Sequence, residues 1–540
     1  MNPLKQKTTM KKNSFLWAAL SMTAALMMTA CSSDDNNMTE APVAPSTSKT
    51  IPYTVTVGGD EATTRATVGD DNRTLKFATG DKLYITGTGI HGVLEIQSGV
   101  GETSNATFSG DLEYTGGGSP AADLQLTATL VSAQQTVGTQ VSVDGNGAVT
   151  VNYPTTAYCT SVNDAVQKYS NLTGTSTYGA RAFTLTQHTA FLNFVITFED
   201  GTATGTALSA VVNNNSSNIC SASVTTVTDN GVKAKFVLPV AAGTTLSSAN
   251  VKMGSKAAIS FGGSQTLTGK VYNVKKTQAP AGAINGKFSV SSTKQVYFSK
   301  GNLQATTTDL GTSWNWHFAD NQWDYIGGRS YGGSETETGN NFINGNGSVS
   351  AAGTVDLFGW STSATYYGIH NSDSPSTYSG DFVDWGATMG TGWFTLETNE
   401  WVYLFYTRTA STVGSTANGR YAAATVNSVA GVILFPDSYT HPSGVTVPVS
   451  VNYAEAAYTV NSYSGADWTA MENAGAVFLP AAGNRGGSSV YYGSNVYYWS
   501  SSPYGTHNAY NVYFQSGWLE LPNSSTRDYG YSVRLVRDVQ

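Results

Sequence analysis

The sequence predicts a mainly β protein with several domains. Its 540 residues correspond to three or four domains of ordinary size. Only 12% of the residues are charged, whereas 40% are hydrophobic and 11% are aromatic. Disordered chains have high charge and few aromatic residues, so this composition indicates a folded chain. The 57 glycines against 15 prolines, together with many Thr, Val and Ser residues, favour short strands joined by turns.

The charge balance limits the classes of partner. The formal net charge is −8, whereas proteins that bind nucleic acid present basic surfaces. We therefore expect no nucleic-acid partner, and nothing in the sequence calls for a cofactor. Low charge with many Tyr and Trp residues is typical of proteins that meet neutral partners outside the cell.

The amino-terminal thirty residues have the pattern of an export signal. Basic residues precede an apolar stretch at 15–30 that is too short to span a membrane comfortably. Small residues before Cys31 resemble a bacterial lipobox, which implies a signal peptide at 1–30 and a lipidated (palmitoylated) Cys31. Residues 31–50 would form a flexible tether, and the Asp34-Asp35 pair resembles an export signal of surface lipoproteins. We therefore expect a surface-exposed lipoprotein of the cell outer membrane; an ordinary secretory signal is the alternative.

Two cysteines remain after Cys31. Cys159 and Cys220 could form a disulfide in an oxidising compartment. Two buried free thiols fit the sequence equally well, because their spacing requires no bridge.

From residue 51 onward the sequence alternates between short strands and turns. Apolar Tyr53, Val55 and Val57 alternate with small polar residues, and Gly/Asn/Asp clusters separate the strands that follow. Residues 190–196 (AFLNFVI) read as a strand buried on both faces. Short strands at regular intervals predict a β-sandwich.

Five ordered segments between residues 51 and 278 resemble the fimbrillin-like (Mfa1/FimA-type) pilins of Bacteroidales. They are Thr64-Arg65-Ala66, 77–84 (FATGDKLY), 106–110 (ATFSG), 187–194 (QHTAFLNF) and 269–274 (GKVYNV). The resemblance implies two β-sandwich subdomains, at 51–165 and 166–278. It also implies assembly by donor-strand exchange, in which a trypsin-like protease releases the first strand and a neighbouring subunit fills the groove. Arg65 is the expected cleavage site and Arg73 the second choice; Arg65 as an ordinary loop residue is the alternative.

The carboxyl-terminal half differs in composition and in predicted elements. Residues 279–287 look like a linker, and most tryptophans follow it in a domain at 288–540. We predict one helix capped by Thr398, and a second that starts at a Ser464–Asp467 capping box and stops at Gly475. Later strands alternate around Val512 and around Val533. Helices within a strand-rich chain predict an α+β domain.

This half resembles the Fibrobacter-type paralogous domain of Bacteroidetes surface proteins and, more distantly, the C-type-lectin-like fold. The segments that carry the resemblance are 296–304 (VYFSKGNLQ), 321–326 (NQWDYI), 356–360 (DLFGW), 400–405 (EWVYLF), 475–483 (GAVFLPAAG), 498–502 (YWSSS) and 530–536 (GYSVRLV). The predicted fold class is therefore mainly β: a two-subdomain fimbrillin module followed by an α+β, C-type-lectin-like adhesive domain.

We expect no enzymatic activity. The related formylglycine-generating enzymes use active-site cysteines, and no cysteine follows Cys220. The six histidines form no zinc motif of the HExxH type, so no metal site is predicted. Five aspartates stand in turn-like contexts, where Asp is common for backbone reasons; they are Asp324, Asp356, Asp381, Asp384 and Asp437.

The candidate ligand-binding residues are aromatic. Calcium-dependent lectins need several oxygen ligands, and the partial motifs at 435–437 and 521–523 do not supply the full set. Aromatic rings that stack on sugars need no metal, and their polar edges suit such sites. The candidates in predicted loops are Trp360, Tyr366, Tyr367, Trp385, Tyr491, Tyr492 and Trp518.

Together these patterns predict a cell-surface fimbrial subunit. Its partners would be other fimbrial subunits, a surface glycan or protein ligand, and the outer membrane through its lipid. The sequence ends directly after a strand that looks integral, so we expect the chain to accept a donor strand without giving one, as a tip adhesin would. The alternative is a surface glycan-binding lipoprotein that does not polymerise.

Overall fold

Apolar residues that alternate with small polar residues build the first sheet. In this computed structural model the described residues are 48–58, 77–101, 105–199, 202–215, 217–327, 340, 353–369, 375–487, 489–491 and 493–539. Residues 48–540 form one compact unit, and strands dominate its secondary structure. The prediction of a mainly β fold is therefore confirmed.

The first eight-stranded sheet has the order β10-β8-β5-β2-β3-β4-β1-β9. Between β5 and β8 the chain forms the hairpin β6–β7 and helix α1, Val162–Tyr169, whose amino terminus Ser161 caps. The strands are β1 Lys49–Gly58, β2 Lys82–Gly87, β3 Ile90–Ser98, β4 Ala106–Tyr114, β5 Gln125–Val131, β6 Val141–Val143, β7 Val149–Val151, β8 Leu172–Thr177, β9 Ala182–Thr184 and β10 Thr186–Gln187.

A second sheet of seven strands has the order β17-β16-β12-β13-β14-β11-β19. Strand β11 contains the predicted segment 190–196, but Asn193 and Val195 on its outer face are only half-buried. The strands of this region are β11 Thr189–Phe198, β12 Ala207–Asn214, β13 Ser217–Thr228, β14 Val232–Ala241, β15 Thr245–Leu246, β16 Ala249–Met253, β17 Ile259–Gly262, β18 Gln265–Thr266 and β19 Val271–Gln278.

The remaining strands form several small sheets around helices α2, Thr398–Val402, and α3, Gly465–Asn473. Their sheets are β20-β21-β35-β25, β23-β22-β24, β28-β26-β27-β29, β30-β31 and β32-β33-β34. The strands are β20 Phe288–Ser289, β21 Gln295–Phe298, β22 Leu303–Thr307, β23 Asn315–Phe318, β24 Gly353–Val355, β25 Trp393–Phe394, β26 Tyr421–Val426, β27 Val429–Leu434, β28 Ser462–Tyr463, β29 Val477–Pro480, β30 Asn484–Gly486, β31 Ser489–Tyr491, β32 Asn495–Tyr504, β33 Asn508–Gln515, β34 Trp518–Thr526 and β35 Val536–Asp538.

One of the two predicted helix starts is correct. The capping box at α3 is present, with Ser464 and Asp467 bonded reciprocally, and Gly475 lies just beyond the end of the helix with φ 93°. At α2 the N-cap is Glu397 rather than Thr398, and the Glu397 N–H donates to Glu400 at 2.8 Å. The Glu400 carboxylate accepts the Glu397 N–H, which has no partner within the helix. The N-cap is therefore one residue earlier than the sequence predicts.

The junction between the second sheet and the carboxyl-terminal strands is tightly packed. The sequence predicts a linker at residues 279–287, yet Ala279, Ala283 and Ile284 are buried. The Asn285 side chain donates to the carbonyl oxygens of Ala257 and Ala258 and accepts the Ala279 N–H. The chain passes from the first sheet to the second between Gln187 and Thr189, beyond the predicted limit at 165/166. The division into domains stays a prediction.

Candidate functional site

Two of the predicted ligand-binding residues lie in the protein core. Trp360 and Trp385 are both 0% exposed, and their indole N–H groups donate to the backbone carbonyls of Ser500 and Tyr367 at 2.9 and 2.7 Å. A buried indole with its N–H satisfied has no surface to offer a ligand. The assignment of Trp360 and Trp385 to a ligand site is therefore wrong, because both indole rings pack in the hydrophobic core.

Tyr366 and Tyr367 lie in a turn and are half-buried. Tyr367 has a left-handed backbone with φ 46°, and its ring contacts Trp316 edge-on with 5.7 Å between the ring centroids. Its N–H donates to the Ser363 carbonyl at 2.8 Å. This turn lies outside the strands that carry the other exposed candidates. A ligand contact by Tyr366 or Tyr367 stays a prediction.

Tyr491 and Trp518 present most of their side chains to solvent. Tyr491 is 64% exposed and Trp518 is 53% exposed. Trp518 begins β34, whereas Tyr491 lies in the β30–β31 hairpin opposite Asn484. The neighbouring Gly483 N–H donates to the Asn495 carbonyl at 2.9 Å, which fixes this hairpin beside the start of β32. Tyr492 lies outside the described residues.

The β32–β33–β34 sheet places Trp518 among further polar and aromatic side chains. Asn495 pairs with Gln515, which pairs with Trp518, so these three residues form one row across the strands. Because directly opposed residues point to the same face of a sheet, the next row on that face follows two positions along. That row consists of Tyr497, Tyr513 and Glu520. We call these six residues the aromatic face.

Stacked rings fix the geometry of the aromatic face. Tyr497 lies between Tyr513 and Tyr531, with ring centroids 4.8 and 4.5 Å apart and interplanar angles of 22° and 9°. Burial and the neighbouring Tyr513 raise the pKa of Tyr497 to about 12, so its hydroxyl is neutral and able to donate a hydrogen bond at neutral pH. The face therefore combines rigid ring edges, amides, one carboxylate and an exposed indole.

Sequence reasoning missed Tyr497 and Tyr513. Both lie within strands, where alternation alone assigns aromatic residues to a core face. A signal was nevertheless present, since Tyr513 alternates with the buried Val512 and Phe514 and must therefore point away from them. The other residues of this face can be assigned only once the pairing of β32, β33 and β34 is known.

A second candidate site lies where β1 is inserted in the first sheet. β1 pairs antiparallel with β4 over nine residues and parallel with β9 over three. Its side chains Tyr53, Val55 and Val57 are each 1% exposed, whereas Thr54 and Thr56 are exposed. The Tyr53 ring stacks on Tyr178 with centroids 4.9 Å apart. The first strand of the described chain thus fills a groove whose two walls come from other strands.

The predicted cleavage and lipidation residues cannot be placed structurally. Cys31, Arg65 and Arg73 lie outside the described residues. In the sequence, Arg65 follows the end of β1 by seven residues. Across the described part of the chain no helix is long and apolar enough to cross a membrane.

The two remaining cysteines are free and buried. The Cys220 thiol donates to the Ala157 carbonyl at 3.4 Å, and burial raises the pKa of the Cys159 thiol to about 12. The disulfide alternative is therefore wrong for this structure, and both thiols are protonated and poorly reactive at neutral pH.

Four of the five aspartates in turn-like contexts bind backbone N–H groups or a buried arginine. Asp384 accepts the Gly386 N–H at 2.8 Å, and Asp324 accepts the Asn321 N–H at 2.9 Å. Asp356 accepts the Ile326 N–H at 2.8 Å, and Asp437 forms an ion pair with the fully buried Arg408 at 2.8 Å. Such contacts are the ordinary turn and core roles of Asp. Among the described residues no three His, Cys, Asp or Glu side chains gather as they would around a metal ion.

Comparisons with known proteins identify solved structures of low similarity. No family model and no curated protein match the chain. A candidate cell-adhesion protein of Bacteroides ovatus is 12% identical, with 41% of this chain and 91% of that chain covered and a TM-score of 0.24. One from Bacteroides fragilis is 10% identical, with coverages of 50% and 99% and a TM-score of 0.24. The tip fimbrial protein Mfa3 of Porphyromonas gingivalis is 7% identical, with coverages of 39% and 82% and a TM-score of 0.19. TM-scores this low assign no function to this chain.

Proposed function

We propose that this protein is a cell-surface fimbrial subunit that accepts a donor strand at the position of β1 and binds a ligand through its carboxyl-terminal region. The observation that carries the first part is the burial of Tyr53, Val55 and Val57 on a strand that pairs on both sides. The resemblance of Thr64-Arg65-Ala66 to the fimbrillin pattern supplies the cleavage site. The Cys31 lipobox pattern supplies an anchor in the outer membrane for the chain before cleavage at Arg65.

Removal of β1 would leave a groove that favours refilling. Each apolar side chain lost from the groove exposes its pocket at a cost of roughly 1.5–3 kcal/mol. Strands β4 and β9 would also present unpaired N–H and C=O groups along their edges. A strand with apolar residues at every second position restores both the burial and the hydrogen bonds.

The terminal position in a fibre is supported by β35. Val536–Asp538 lies between β21 and β25 in its sheet, and Val536 is buried. Giving up this strand would split that sheet. We therefore propose that β35 stays in place and is not itself a donor strand, which is compatible with an acceptor role such as that of a tip adhesin.

Cleavage at Arg65 is tested by sequencing the amino terminus of the protein isolated with fimbriae. We expect the mature chain to begin at Ala66. The Arg65→Ala variant should keep β1 and lose co-purification with fimbrial subunits, whereas the Arg73→Ala control should be processed as usual. A fibre-associated chain that still begins at Cys31 would show the proposed mechanism to be wrong.

The aromatic face is the proposed ligand site. The exposed indole of Trp518 can stack on the C–H face of a sugar, and the neighbouring Asn495, Gln515 and Glu520 side chains offer hydrogen bonds to hydroxyl groups. The full-length protein should bind one class of glycan on an array, and Trp518→Ala should reduce that binding by about tenfold, or about 1.4 kcal/mol. Tyr504→Ala is the matched control, since Tyr504 is 50% exposed but lies at the far end of β32. Equal binding by Trp518→Ala and wild type would exclude this face.

A glycan-binding lipoprotein that does not polymerise is the second candidate. It is favoured by the intact sheet itself, because β1 already fills the groove without a partner. The two functions differ in one result: only the fimbrial subunit loses residues before Ala66 and co-purifies with pilins.

A further inference from the structure

A cleft of about 990 Å³ separates the second sheet from the carboxyl-terminal strands, and its walls are rich in lysine. Five lysines line it, namely Lys233, Lys235, Lys275, Lys276 and Lys287. Asp229 is the one acidic residue among the lining residues that the structure describes. The cleft is lined by different residues from the aromatic face and from the β1 groove.

The charge of this region is opposite to that of the whole chain. Residues 189–287 contain eight lysines, no arginine and three acidic residues. The complete sequence has 28 basic and 36 acidic residues. A basic segment within an acidic protein points to a local electrostatic role, because solubility alone is served by the overall negative charge.

Strand register places part of this charge in an ordered row. Lys235 of β14 pairs with Val195 of β11, which pairs with Lys275 of β19. Neighbouring strands are about 4.8 Å apart, so the backbones that carry Lys235 and Lys275 are about 10 Å apart. Residues opposed in this way share one face. Asn193, two residues before Val195 on β11, donates to Asn273 on β19 at 2.8 Å, which adds amides to the same face.

The lysines differ in how far their charge is already neutralised. Lys287 pairs with Glu199 at 3.2 Å, and Lys233 and Lys235 share Asp229. Within the described part of the chain the Lys275 and Lys276 side chains form no ion pair or hydrogen bond, and both residues are exposed. The surrounding protein displaces part of the water around the Lys276 ammonium group and so lowers its pKa, and an anion placed in the cleft would raise that pKa again. Lys275 and Lys276 are thus the two cations open to a ligand.

The opposite wall supplies neutral polar groups. The carboxyl-terminal side contributes Gln295, Ser438, Thr440 and Asn473. His441 is on this wall too, and burial lowers its pKa, so it adds no charge at neutral pH. Amide and hydroxyl groups opposite spaced cations suit a ligand with both hydroxyls and separated negative charges. A nucleic acid would call for stacking rings and a denser positive track.

We propose that this cleft binds an acidic polysaccharide, with uronate or sulfate groups at Lys235, Lys275 and Lys276 and with sugar hydroxyls against the amides and hydroxyls of the opposite wall. The spacing of the lysine row is comparable to the length of two linked sugar rings. The site holds whether or not the protein polymerises, and it is independent of the ligand bound at the aromatic face.

The test measures binding of the full-length protein to immobilised heparin and polygalacturonate, with neutral dextran and a single-stranded oligonucleotide as comparisons. We expect binding to the acidic polysaccharides that weakens as salt is raised, and little binding to dextran. Lys275→Glu/Lys276→Glu should reduce the affinity by at least about tenfold. The control is Lys252→Glu/Lys270→Glu, which makes the same charge change within residues 189–287 but outside the cleft. This variant should keep the affinity within about twofold.

Asp229→Asn gives a readout that misfolding does not imitate. It releases Lys233 and Lys235 from their acidic partner, so the affinity for polygalacturonate should rise. Equal losses in the two charge-reversal variants, a loss of affinity in Asp229→Asn, or stronger binding to the oligonucleotide than to both polysaccharides would each overturn the proposal.

Discussion

The buried Asp356 contributes to the pH dependence of stability in this protein. Asp356 is fully buried, and it accepts the Asn340 side-chain N–H and the Ile326 backbone N–H, each at 2.8 Å. Burial raises the pKa of Asp356 to about 6. The folded state therefore holds a proton over a pH range where the unfolded chain has lost it.

This shift predicts a loss of stability as pH rises from about 4 to about 6. At Asp356 the folded state binds more protons than the unfolded state in that range, so the contribution of this residue to the free energy of unfolding falls with pH. Denaturant titrations at several pH values should show a flatter dependence for Asp356→Asn. Asp309→Asn is the control, because the pKa of Asp309 lies at about 2, below this range. An unchanged slope in Asp356→Asn would contradict the assignment.

At the scale of elements, β1 is the strand whose loss the proposed function requires. Val55 is 1% exposed, whereas Thr54 beside it is exposed. A carboxylate at Val55 would have to be buried without a partner, which costs several kcal/mol. The strand should then leave its groove even in the uncleaved chain.

We therefore predict that Val55→Asp takes up a labelled peptide of residues 49–58 without cleavage at Arg65. Fluorescence anisotropy measures the uptake, and circular dichroism checks that the remaining sheets are folded. Thr54→Asp, whose side chain faces solvent, should take up no peptide until Arg65 is cut. Uptake by neither uncut variant, or by both equally, would show that β1 does not occupy an exchangeable groove.

At the scale of the whole molecule, the segment 279–287 joins the second sheet to the carboxyl-terminal strands as packed structure. Asn285 bonds to the backbone of residues 257, 258 and 279, and Lys287 and Tyr297 both bond to Glu199. Loss of the Asn285 amide would leave partly buried backbone groups unsatisfied, at about 1–3 kcal/mol.

Asn285→Ala should therefore expose the segment to proteases. Limited proteolysis followed by mass spectrometry should find faster cleavage between residues 278 and 288 than in wild type. Asn146→Ala, at an exposed hairpin position, should be cleaved at the wild-type rate. Equal resistance of Asn285→Ala and wild type would indicate that the segment does not depend on this amide.

Local patterns carried the predictions that succeeded. Alternation at Tyr53, Val55 and Val57 placed β1 correctly, and the Ser464–Asp467 pair fixed the start of α3. These features depend on residues close in sequence, whose side chains must point to one face or bond to the nearest backbone group. The segment around Val533, where the sequence predicts a strand, is buried, but the regular strand begins only at Val536. The residues before Val533 form only isolated bridges to distant segments.

The sequence by itself determined a strand-rich chain, its capped helix α3, and an aromatic-rich carboxyl-terminal half. Only the tertiary structure decided which aromatic residues are buried, since Trp360 and Trp518 look alike in sequence and differ from 0% to 53% exposed. It also decided that Lys235 and Lys275, forty residues apart, lie in one row. The physical reason is the same in both cases: burial and charge clustering depend on strand pairing over long sequence separations, which local patterns do not specify.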